Sequence, residues 1–396
     1  DLEGEVSRWS ALLVAGLALL FALGADIFLT GSGSGSAKPL LFTGLVVGLA
    51  LFTPASYGAV FRFDTWWICL LMLLWSMIGF TGAGQDLSAW GDLRGQMLAF
   101  GFVTAWCVLL DDPTHRRAAG YALALALACA VLMNLYEVLN PLTWSSVRGR
   151  SAGTFVNPNL SALAILSLAT LLATLTRRGL VLGLVLVAAG AGVLATFSRS
   201  GAAVWVCLTG YFLFGSGRFA MRKRFAVLGL TVAGILALFV LLPDEILEIP
   251  NVSQRLRMLE GQGFGDFSTD ERAKVLRRGF AQVQEAPLAG HGPGAGTRIP
   301  MANGVLGAHN EFLATWVSHG LVGLLAWCAF LLRVGRRRAA GLAILLTLVS
   351  LSFHSLLLKR QLLLVMVAYE SLVPLRHPAL AREGEVPVLV PATEIR

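Results

Sequence analysis

Charged residues are scarce in this sequence. Asp, Glu, Lys and Arg together make up 14% of its 396 residues, whereas a soluble domain carries about 25%. So little charge argues against a water-soluble enzyme, a disordered protein and a nucleic-acid-binding protein with exposed basic arms. Hydrophobic residues instead account for 56% of the chain, and the mean hydropathy is +0.72. This composition indicates a protein that lies within a membrane.

Cysteine is also rare, with five residues in the whole chain. All five lie inside apolar blocks, and their spacing matches neither a metal site nor a disulfide framework. Free cysteines in such surroundings behave as small apolar residues. We therefore predict neither disulfides nor bound zinc.

The apolar residues form repeated runs bounded by charges, Gly or Pro, as in proteins that cross a bilayer many times. About twelve runs are present, at 10–29, 39–52, 65–81, 97–110, 118–139, 160–174, 180–196, 202–214, 225–242, 311–332, 341–357 and 362–373. The prediction is an all-α, polytopic integral membrane protein with about twelve transmembrane helices. Its parts are transmembrane helices 1–9 in residues 1–243, a large, partly helical periplasmic loop in 244–309, helices 10–12 in 310–375 and a cytoplasmic tail in 376–396.

Basic residues accumulate in the cytoplasmic loops of membrane proteins. Here, alternate loops carry Arg62, then Arg116 and Arg117, then basic residues at 177–178, 218–224 and 333–338, with others near both chain ends. This pattern predicts that both termini are cytoplasmic and that the 244–309 loop lies outside.

The opposite face should be poor in Lys and Arg, yet it holds many of them. They are Lys38, Arg94, Arg148, Arg150, Arg199, Arg255, Arg257, Arg272, Lys274, Arg277, Arg278, Arg298, Lys359 and Arg360. Solvated loop charge explains any single one, and this is the expectation for Arg277 and Arg278. Several others sit at helix ends, where the loops meet the membrane surface, and the set favours an anion-binding outer face.

Two short segments on this face are candidates for binding an anion. In the first, Arg148 and Arg150 precede Gly153-Thr-Phe-Val-Asn-Pro-Asn159, where Asn and Pro suit the start of a helix whose free N–H groups favour an anion. In the second, Ser198-Arg-Ser-Gly201 forms a tight turn that holds Arg199 at the outer interface. A plain cap and a snorkelling arginine are the structural alternatives. A planar guanidinium at this depth fits a lipid-linked phosphate or pyrophosphate.

The predicted outer loop contains one clear helix and a Gly/Pro-rich segment. Ser268-Thr-Asp-Glu271 is a capping box, and Ala273, Leu276, Phe280 and Val283 follow with helical spacing. At about 100° per residue, Arg272 falls on the apolar side, so we predict that it points into the protein toward a buried anionic partner. The segment 286–296 can bring backbone close to a ligand or act as a moving lid.

Histidines supply the candidate bases. His309 lies at the N-terminus of the tenth run near several arginines, and both influences favour its neutral form, which suits a general base for a hydroxyl. A histidine that caps its own helix is the alternative, and His291 is a competing base. His319 and His354 fall within predicted spans and are expected to pack, whereas His115 and His377 fall on the cytoplasmic side.

In chain order, four motifs resemble the O-antigen ligase/O-antigen polymerase superfamily of bacterial envelope glycosyltransferases. They are Gly153-Thr-Phe-Val-Asn-Pro-Asn159, Ser198-Arg-Ser-Gly201, Arg272 ahead of Pro287-Leu-Ala-Gly-His-Gly-Pro-Gly294, and His309-Asn-Glu-Phe-Leu313 followed by Gly320-Leu-Val-Gly323. The resemblance covers residues 148–332. It implies a multi-pass enzyme of the Gram-negative inner membrane with twelve helices and a periplasmic active site.

The resemblance also implies a reaction. Such ligases transfer a glycan from undecaprenyl pyrophosphate to the lipid A core, with inversion at the anomeric carbon and without metal, nucleotide sugar or other cofactor. It makes Arg199 and Arg272 the catalytic arginines that bind pyrophosphate and His309 the base. The expected substrate-binding residues are Arg148, Arg150, Asn159, Ser200, Asn310 and His291. The implied partners are the lipid-linked donor, the lipid A core acceptor and membrane lipids, with no nucleic acid and with an oligomeric state that the sequence does not define.

The residues themselves agree with a reaction in which arginines replace a metal ion. A pyrophosphate leaving group needs its growing charge neutralised, usually by Mg²⁺, yet acidic residues in the outer segments do not cluster. Two alternatives remain open. An O-antigen polymerase or a protein O-oligosaccharyltransferase of the same superfamily would share the donor and differ in the acceptor. A transporter of anionic lipid or glycan would show polar groups at mid-bilayer or a repeat between halves, neither of which is evident.

Overall fold

The computed structural model describes residues 2–30, 38–53, 57–82, 87–147, 149–176, 178–215, 224–226, 228–229, 232–233, 267–301, 304–337 and 340–373. The predicted binding residue Arg148, most of the ninth predicted span and the predicted tail lie outside the described residues.

The described residues are mostly helical. The α-helices are α1 (Leu2–Ala22), α2 (Ala25–Thr30), α3 (Lys38–Phe52), α4 (Asp64–Gly82), α5 (Leu87–Leu109), α6 (Pro113–Leu139), α7 (Pro158–Leu175), α8 (Gly179–Ala195), α9 (Arg199–Gly210), α10 (Phe267–Glu285), α11 (Glu311–Arg337), α12 (Ala340–Ser350) and α13 (Arg360–Leu372). Short 3₁₀ turns occur at Tyr57–Arg62, Gly153–Phe155, Ala295–Thr297 and Leu356–Leu358, and a π-helical turn at Tyr211–Gly215 follows α9. Strands β1 (Ile299–Met301) and β2 (Gly304–Leu306) form a small antiparallel hairpin, a minor departure from the predicted all-α class.

Apart from the ninth, each predicted span overlaps a helix, but three boundaries were wrong. The first span breaks after Ala22, where Gly24 has a φ of 64°, and continues as the short helix α2. Helix α5 begins at Leu87, ten residues before the predicted start at 97. The prediction began too late because the charges of Asp92 and Arg94 made the first turns of the helix resemble a loop. Helix α12 ends at Ser350 rather than 357, which places His354 in a loop.

Four of the described helices are long and apolar enough to cross a membrane. They are Asp64–Gly82, Pro113–Leu139, Pro158–Leu175 and Glu311–Arg336, and shorter apolar helices occur at Ser7–Ala22, Leu40–Phe52, Gly179–Ala195 and Ala340–Ser350. These helices are consistent with an all-α membrane protein. The count of twelve spans stays a prediction.

Helix α13 lies at the centre of the bundle. It contacts α1, α4, α5, α6 and α7, and its residues from Gln361 to Glu370 are all buried. Neighbouring helices approach closely at small residues, as is usual in membrane bundles. For example, an added Cβ at Gly201 would lie 2.9 Å from the Cβ of Ala162, which shows how tightly α9 packs against α7.

The charged contacts gather at the two ends of the bundle. At one, which we call the Glu370 end, the Glu370 carboxylate accepts hydrogen bonds from the backbone N–H groups of Asp64 (2.6 Å) and Thr65 (2.9 Å), and Arg333 pairs with Asp64 at 2.6 Å. The other, the His309 end, holds the loops 140–157, 196–198, 286–309 and 351–359. The predicted site residues that the structure describes lie at this end, whereas the side on which each end faces stays a prediction.

Candidate functional site

A buried carboxylate organises the loop after α6. Glu137 is 2% exposed and accepts hydrogen bonds from the backbone N–H groups of Trp144 (2.8 Å), Ser145, Ala152 (2.7 Å) and Gly153 (3.0 Å). Hydrogen bonds of this kind satisfy both a buried charge and otherwise unpaired amides. The sequence did not identify Glu137, because its four partners lie 7–16 residues ahead in a loop without regular spacing.

This loop presents Arg150 to the starts of α7 and α9. The guanidinium donates to the Thr196 carbonyl oxygen at 3.0 Å and to the Asn159 Oδ1 at 2.8 Å. Asn157 caps α7 by accepting a hydrogen bond from the backbone N–H of Asn159, and Pro158 occupies the first turn, as predicted. The structure therefore brings together Arg150 and Asn159, two of the predicted binding residues.

Arg199 begins α9 immediately beyond this contact. Ser198 is the N-cap, and its side chain accepts a hydrogen bond from the backbone N–H of Gly201 at 3.2 Å. The Ser200 Oγ lies 3.4 Å from the Ser198 Oγ. Arg199 is exposed, in the first turn, where free backbone N–H groups and the helix dipole favour an anion. The Arg150 guanidinium, which contacts the Thr196 carbonyl, therefore lies close to the start of α9, where Arg199 is located.

The second group of site residues lies between α10 and α11. Helix α10 buries Val275, Gly279 and Val283, and an added Cβ at Gly279 would lie 2.7 Å from Leu313 of α11. The predicted apolar face was right at Val283 but wrong at Ala273, Leu276 and Phe280, which are exposed. Arg272 lies about one turn before Val275 on the same side of α10. Its side chain is exposed rather than buried.

His309 is held in a loop rather than in a helix. Its φ is 49°, a left-handed conformation that is uncommon outside glycine and often marks functional positions. Asn310 caps α11 by accepting a hydrogen bond from the backbone N–H of Leu313 at 3.0 Å, so the histidine does not serve as the cap. Burial, and then the positive charge of Arg272, lower the pKa of His309. The imidazole is therefore kept neutral near an exposed arginine.

The ring of His309 contacts a second histidine that the sequence analysis assigned to a span. The centroids of His309 and His354 are 5.2 Å apart and the rings are nearly perpendicular, at 76°. Burial, His309 and Lys359 lower the pKa of His354 to about 4. No local sequence signal predicts this neighbour, because the two residues belong to different loops.

Glu311 fixes the loop of His354 against the start of α11. Its Oε2 accepts a hydrogen bond from the backbone N–H of Leu356 at 3.1 Å. Burial lowers the pKa of Lys359, whereas the nearby Glu311 carboxylate raises it. Glu311 therefore acts on both ends of the 355–359 segment, through a hydrogen bond to Leu356 and through its charge on Lys359. Neither Glu311 nor Lys359 was predicted as a site residue.

The Gly/Pro-rich segment 286–296 is docked on α11. Its Pro287 carbonyl accepts hydrogen bonds from Leu321 N–H (2.9 Å) and from the Trp316 indole (3.1 Å). His291 and Gly292 donate backbone hydrogen bonds to Val317 and Ser318. Helix α11 is kinked at Gly320, and a Cβ there would collide with the Leu288 carbonyl. The segment ends beside the base, since Ala308 donates a backbone hydrogen bond to Gly296 at 3.0 Å.

The candidate His291 in this segment and the nearby Arg298 both have partners within the protein. The His291 Nε2 lies 2.8 Å from the Gln282 carbonyl oxygen and 3.9 Å from the Glu285 carboxylate, so His291 joins the segment to α10. Arg298 pairs with Asp92 of α5 at 2.6 Å. The two contacts join the segment and the residues after it to α10 and α5.

Helix α2 connects the two groups. Thr154, next to Gly153, donates its hydroxyl to the Leu23 carbonyl, and Asp26 of α2 pairs with Arg360 at 3.1 Å. Arg360 follows Lys359, which faces Glu311. The group around Arg150 and the group around His309 are therefore joined through contacts at one end of the bundle.

Glu311 also lines a small internal cavity of about 60 Å³ between α4, α5 and α11. Its lining is mostly apolar, with polar groups from Asp92, Gln96, Ser318 and His319. His319 itself makes a 2.7 Å contact with Ser76. Within the described part of the chain, no three His, Cys, Asp or Glu residues form a group that could hold a metal ion.

Comparison with known proteins gives a family match and a curated relative. The family described as O-Antigen ligase matches residues 184–328, a range that contains Arg199, Arg272 and His309 but not Arg150. A protein named O-antigen ligase from Pseudomonas aeruginosa is 28% identical over 252 residues, which cover 60% of this chain and 55% of that protein. The chain thus spans about half the length of this relative.

The apolar helices and the family match indicate a mostly helical membrane protein. Both matches point to the O-antigen ligase superfamily as the group of proteins that this chain resembles. This similarity suggests a glycosyltransferase-like enzyme.

Proposed function

We propose that this protein is an O-antigen ligase that transfers a glycan from undecaprenyl pyrophosphate to a hydroxyl of the lipid A core at the periplasmic face of the inner membrane. The observation that carries the proposal is the neutral His309, whose pKa is lowered by burial and by Arg272, at the same end of the bundle as Arg150 and Arg199. A base and several guanidinium groups are what this transfer requires.

In the proposed mechanism, Arg199 and Arg272 bind the diphosphate of the donor. Their charges stabilise the negative charge that develops on the leaving oxygen as the glycosidic bond breaks. His309 accepts the proton of the acceptor hydroxyl, whose oxygen attacks the anomeric carbon from the opposite face, so the configuration inverts. Arg150, held by Asn159 and the Thr196 carbonyl, contributes a further donor group. Ser200, Asn310, His291 and Arg148 complete the proposed substrate-binding set.

Reconstitution tests this proposal. The purified protein, in liposomes with an undecaprenyl-pyrophosphate-linked glycan and lipid A core, should form the ligated product without added metal and in the presence of chelator. His309→Ala and Arg199→Ala should each lower turnover by about 100- to 1,000-fold, the usual cost of one such group. Arg117→Ala, an exposed arginine at the Glu370 end, is the matched control and should be fully active.

The choice of acceptor separates the related reactions. Lipid A core, a second lipid-linked glycan and an acceptor protein are supplied in separate assays. Transfer only to the second glycan would replace the proposal by an O-antigen polymerase, and transfer only to protein by an O-oligosaccharyltransferase. Full activity of the purified His309→Ala protein would rule out the assignment of the base.

A further inference from the structure

The ring of His354 contacts the ring of His309, and the proposed mechanism does not use it. The two imidazole rings meet edge to face, with centroids 5.2 Å apart and planes at 76°. Perpendicular contacts of this kind favour one mutual orientation of two rings. The contact therefore restricts the angle at which His309 presents its nitrogens.

Backbone contacts fix the positions of the two loops that carry His309 and His354. Gly307 lies against His354 so closely that an added Cβ would be 2.6 Å from the ring. Ser355, which follows His354, has a φ of 59°, and Leu356 donates its N–H to Glu311. Because Glu311 begins the helix that follows His309, one carboxylate fixes both histidine loops relative to each other.

The environment keeps His354 uncharged. Burial, and then the electrostatic influence of His309 and Lys359, lower its pKa to about 4. A neutral ring can flank His309 without opposing the positive charge that His309 acquires when it accepts a proton. His309 needs such a support, because its left-handed backbone leaves it outside the hydrogen bonds of α11.

We propose that His354 is a positioning residue, whose neutral ring holds the imidazole of His309 in the orientation that removes the proton from the acceptor. This inference rests on the proposed function. His354 itself exchanges no proton and binds no substrate. Misplacement of a catalytic group by about 1 Å commonly costs a factor of about 100 in rate, so the loss of one ring contact has a measurable effect.

Two replacements of His354 test the inference in the reconstituted assay. His354→Ala should lower kcat by about 10- to 100-fold and leave KM for donor and acceptor unchanged, because the ring touches neither substrate. His354→Phe retains an aromatic ring without a titrating nitrogen and should keep most of the turnover. Unchanged kcat in His354→Ala would overturn the inference. A His354→Phe protein as slow as His354→Ala would overturn it as well, since the nitrogen atoms would then be required.

A second measurement does not depend on glycan transfer. Diethyl pyrocarbonate modifies accessible histidines, and mass spectrometry gives the rate at His309. The rate should rise in His354→Ala and stay at its original value in His354→Phe. An equal rate in all three proteins would overturn the inference even if the proposed function is correct.

Controls separate this inference from folding and from the proposed function. His115 is a buried histidine at the Glu370 end, 3.0 Å from the Ser10 hydroxyl, so His115→Ala removes a comparable side chain and should leave kcat unchanged. If His115→Ala slows transfer as much as His354→Ala does, the effect is one of folding and the inference fails. If the unsubstituted protein transfers no glycan, the proposed function fails first.

Discussion

At the scale of single residues, the charge on His309 is controlled by a neighbour that can be removed. Burial and then Arg272 lower the pKa of His309. Because Arg272→Gln removes the second cause, the pKa should rise toward its usual value. His309 acts as a base only when neutral, and activity is lost as pH falls through its pKa. The acidic limb of a kcat/KM profile for glycan transfer should therefore move to higher pH.

The same substitution should also lower turnover at neutral pH by about 100-fold, from the lost contact with the diphosphate. Arg278→Gln on the same helix is the control, since Arg278 is exposed and predicted to be solvated. The other groups that face His309, His354 and beyond it Lys359, are unchanged in both variants. An acidic limb that stays in place in Arg272→Gln would contradict the electrostatic role of this arginine.

Sequence reasoning found some of these residues and missed others for a physical reason. His309 and Arg199 stand at helix starts, which have local signals such as caps and tight turns. Glu137, His354 and Lys359 act through partners that are distant along the chain or in irregular loops, where spacing carries no information. Arg272 was wrongly predicted to be buried. The buried face of α10 begins only at Val275, so Arg272 lies before it and is exposed.

At the scale of elements, the kink of α11 provides a sharp test of how the Gly/Pro segment is held. Gly320 has a φ of 64°, and an added Cβ would collide with the Leu288 carbonyl. Gly320→Ala should lower the free energy of unfolding by about 2 kcal/mol or more, from backbone strain and overpacking. It should also reduce glycan transfer, because the segment ends beside His309. Denaturant unfolding in detergent and the transfer assay measure the two effects.

Gly101→Ala is the matched control for this substitution. Gly101 lies within α5, and an added Cβ there would meet no atom within 4 Å. Alanine is preferred to glycine inside a helix, by up to about 1 kcal/mol, so stability should stay the same or rise. Equal behaviour of the two alanine variants would show that the kink does not need glycine.

Element by element, local signals predicted where helices begin better than which face they bury. Asn157-Pro158 and Ser198 start helices as expected. The buried face of α10 was predicted one residue out of place, since apolar size pointed to Leu276 and Phe280. In the structure, Gly279 faces Leu313 instead, because a residue without a side chain lets two helices approach closely. Hydrophobicity alone does not reveal such a contact.

At the scale of the whole molecule, the orientation in the membrane follows from the predicted topology. Leu288→Cys lies on an exposed part of the Gly/Pro segment at 66% exposure, and Arg336→Cys lies near the opposite end of α11. In a background without native cysteines, a membrane-impermeant thiol reagent should label Leu288→Cys in intact spheroplasts. Arg336→Cys should react only after permeabilisation. The reverse pattern would invert the topology and contradict a periplasmic active site.

The sequence predicted the bundle from the apolar runs, whose length needs no knowledge of tertiary contacts. It did not predict which side chains join neighbouring helices at the two ends of the bundle. The pairs Glu370 with Thr65, Glu311 with Leu356 and Asp26 with Arg360 join residues far apart along the chain. Such pairs depend on which helices become neighbours, and a single sequence without regular repeats does not specify that order.

Two arginines at the His309 end are already neutralised within the protein. Arg298 pairs with Asp92 and Arg360 with Asp26, and a compensated charge adds little to the potential beyond its immediate surroundings. The electrostatic potential at a distance from the His309 end is therefore weaker than the number of basic residues there implies. The uncompensated basic residues, rather than all of them, should therefore determine how strongly ionic strength affects the approach of an anionic ligand to this end.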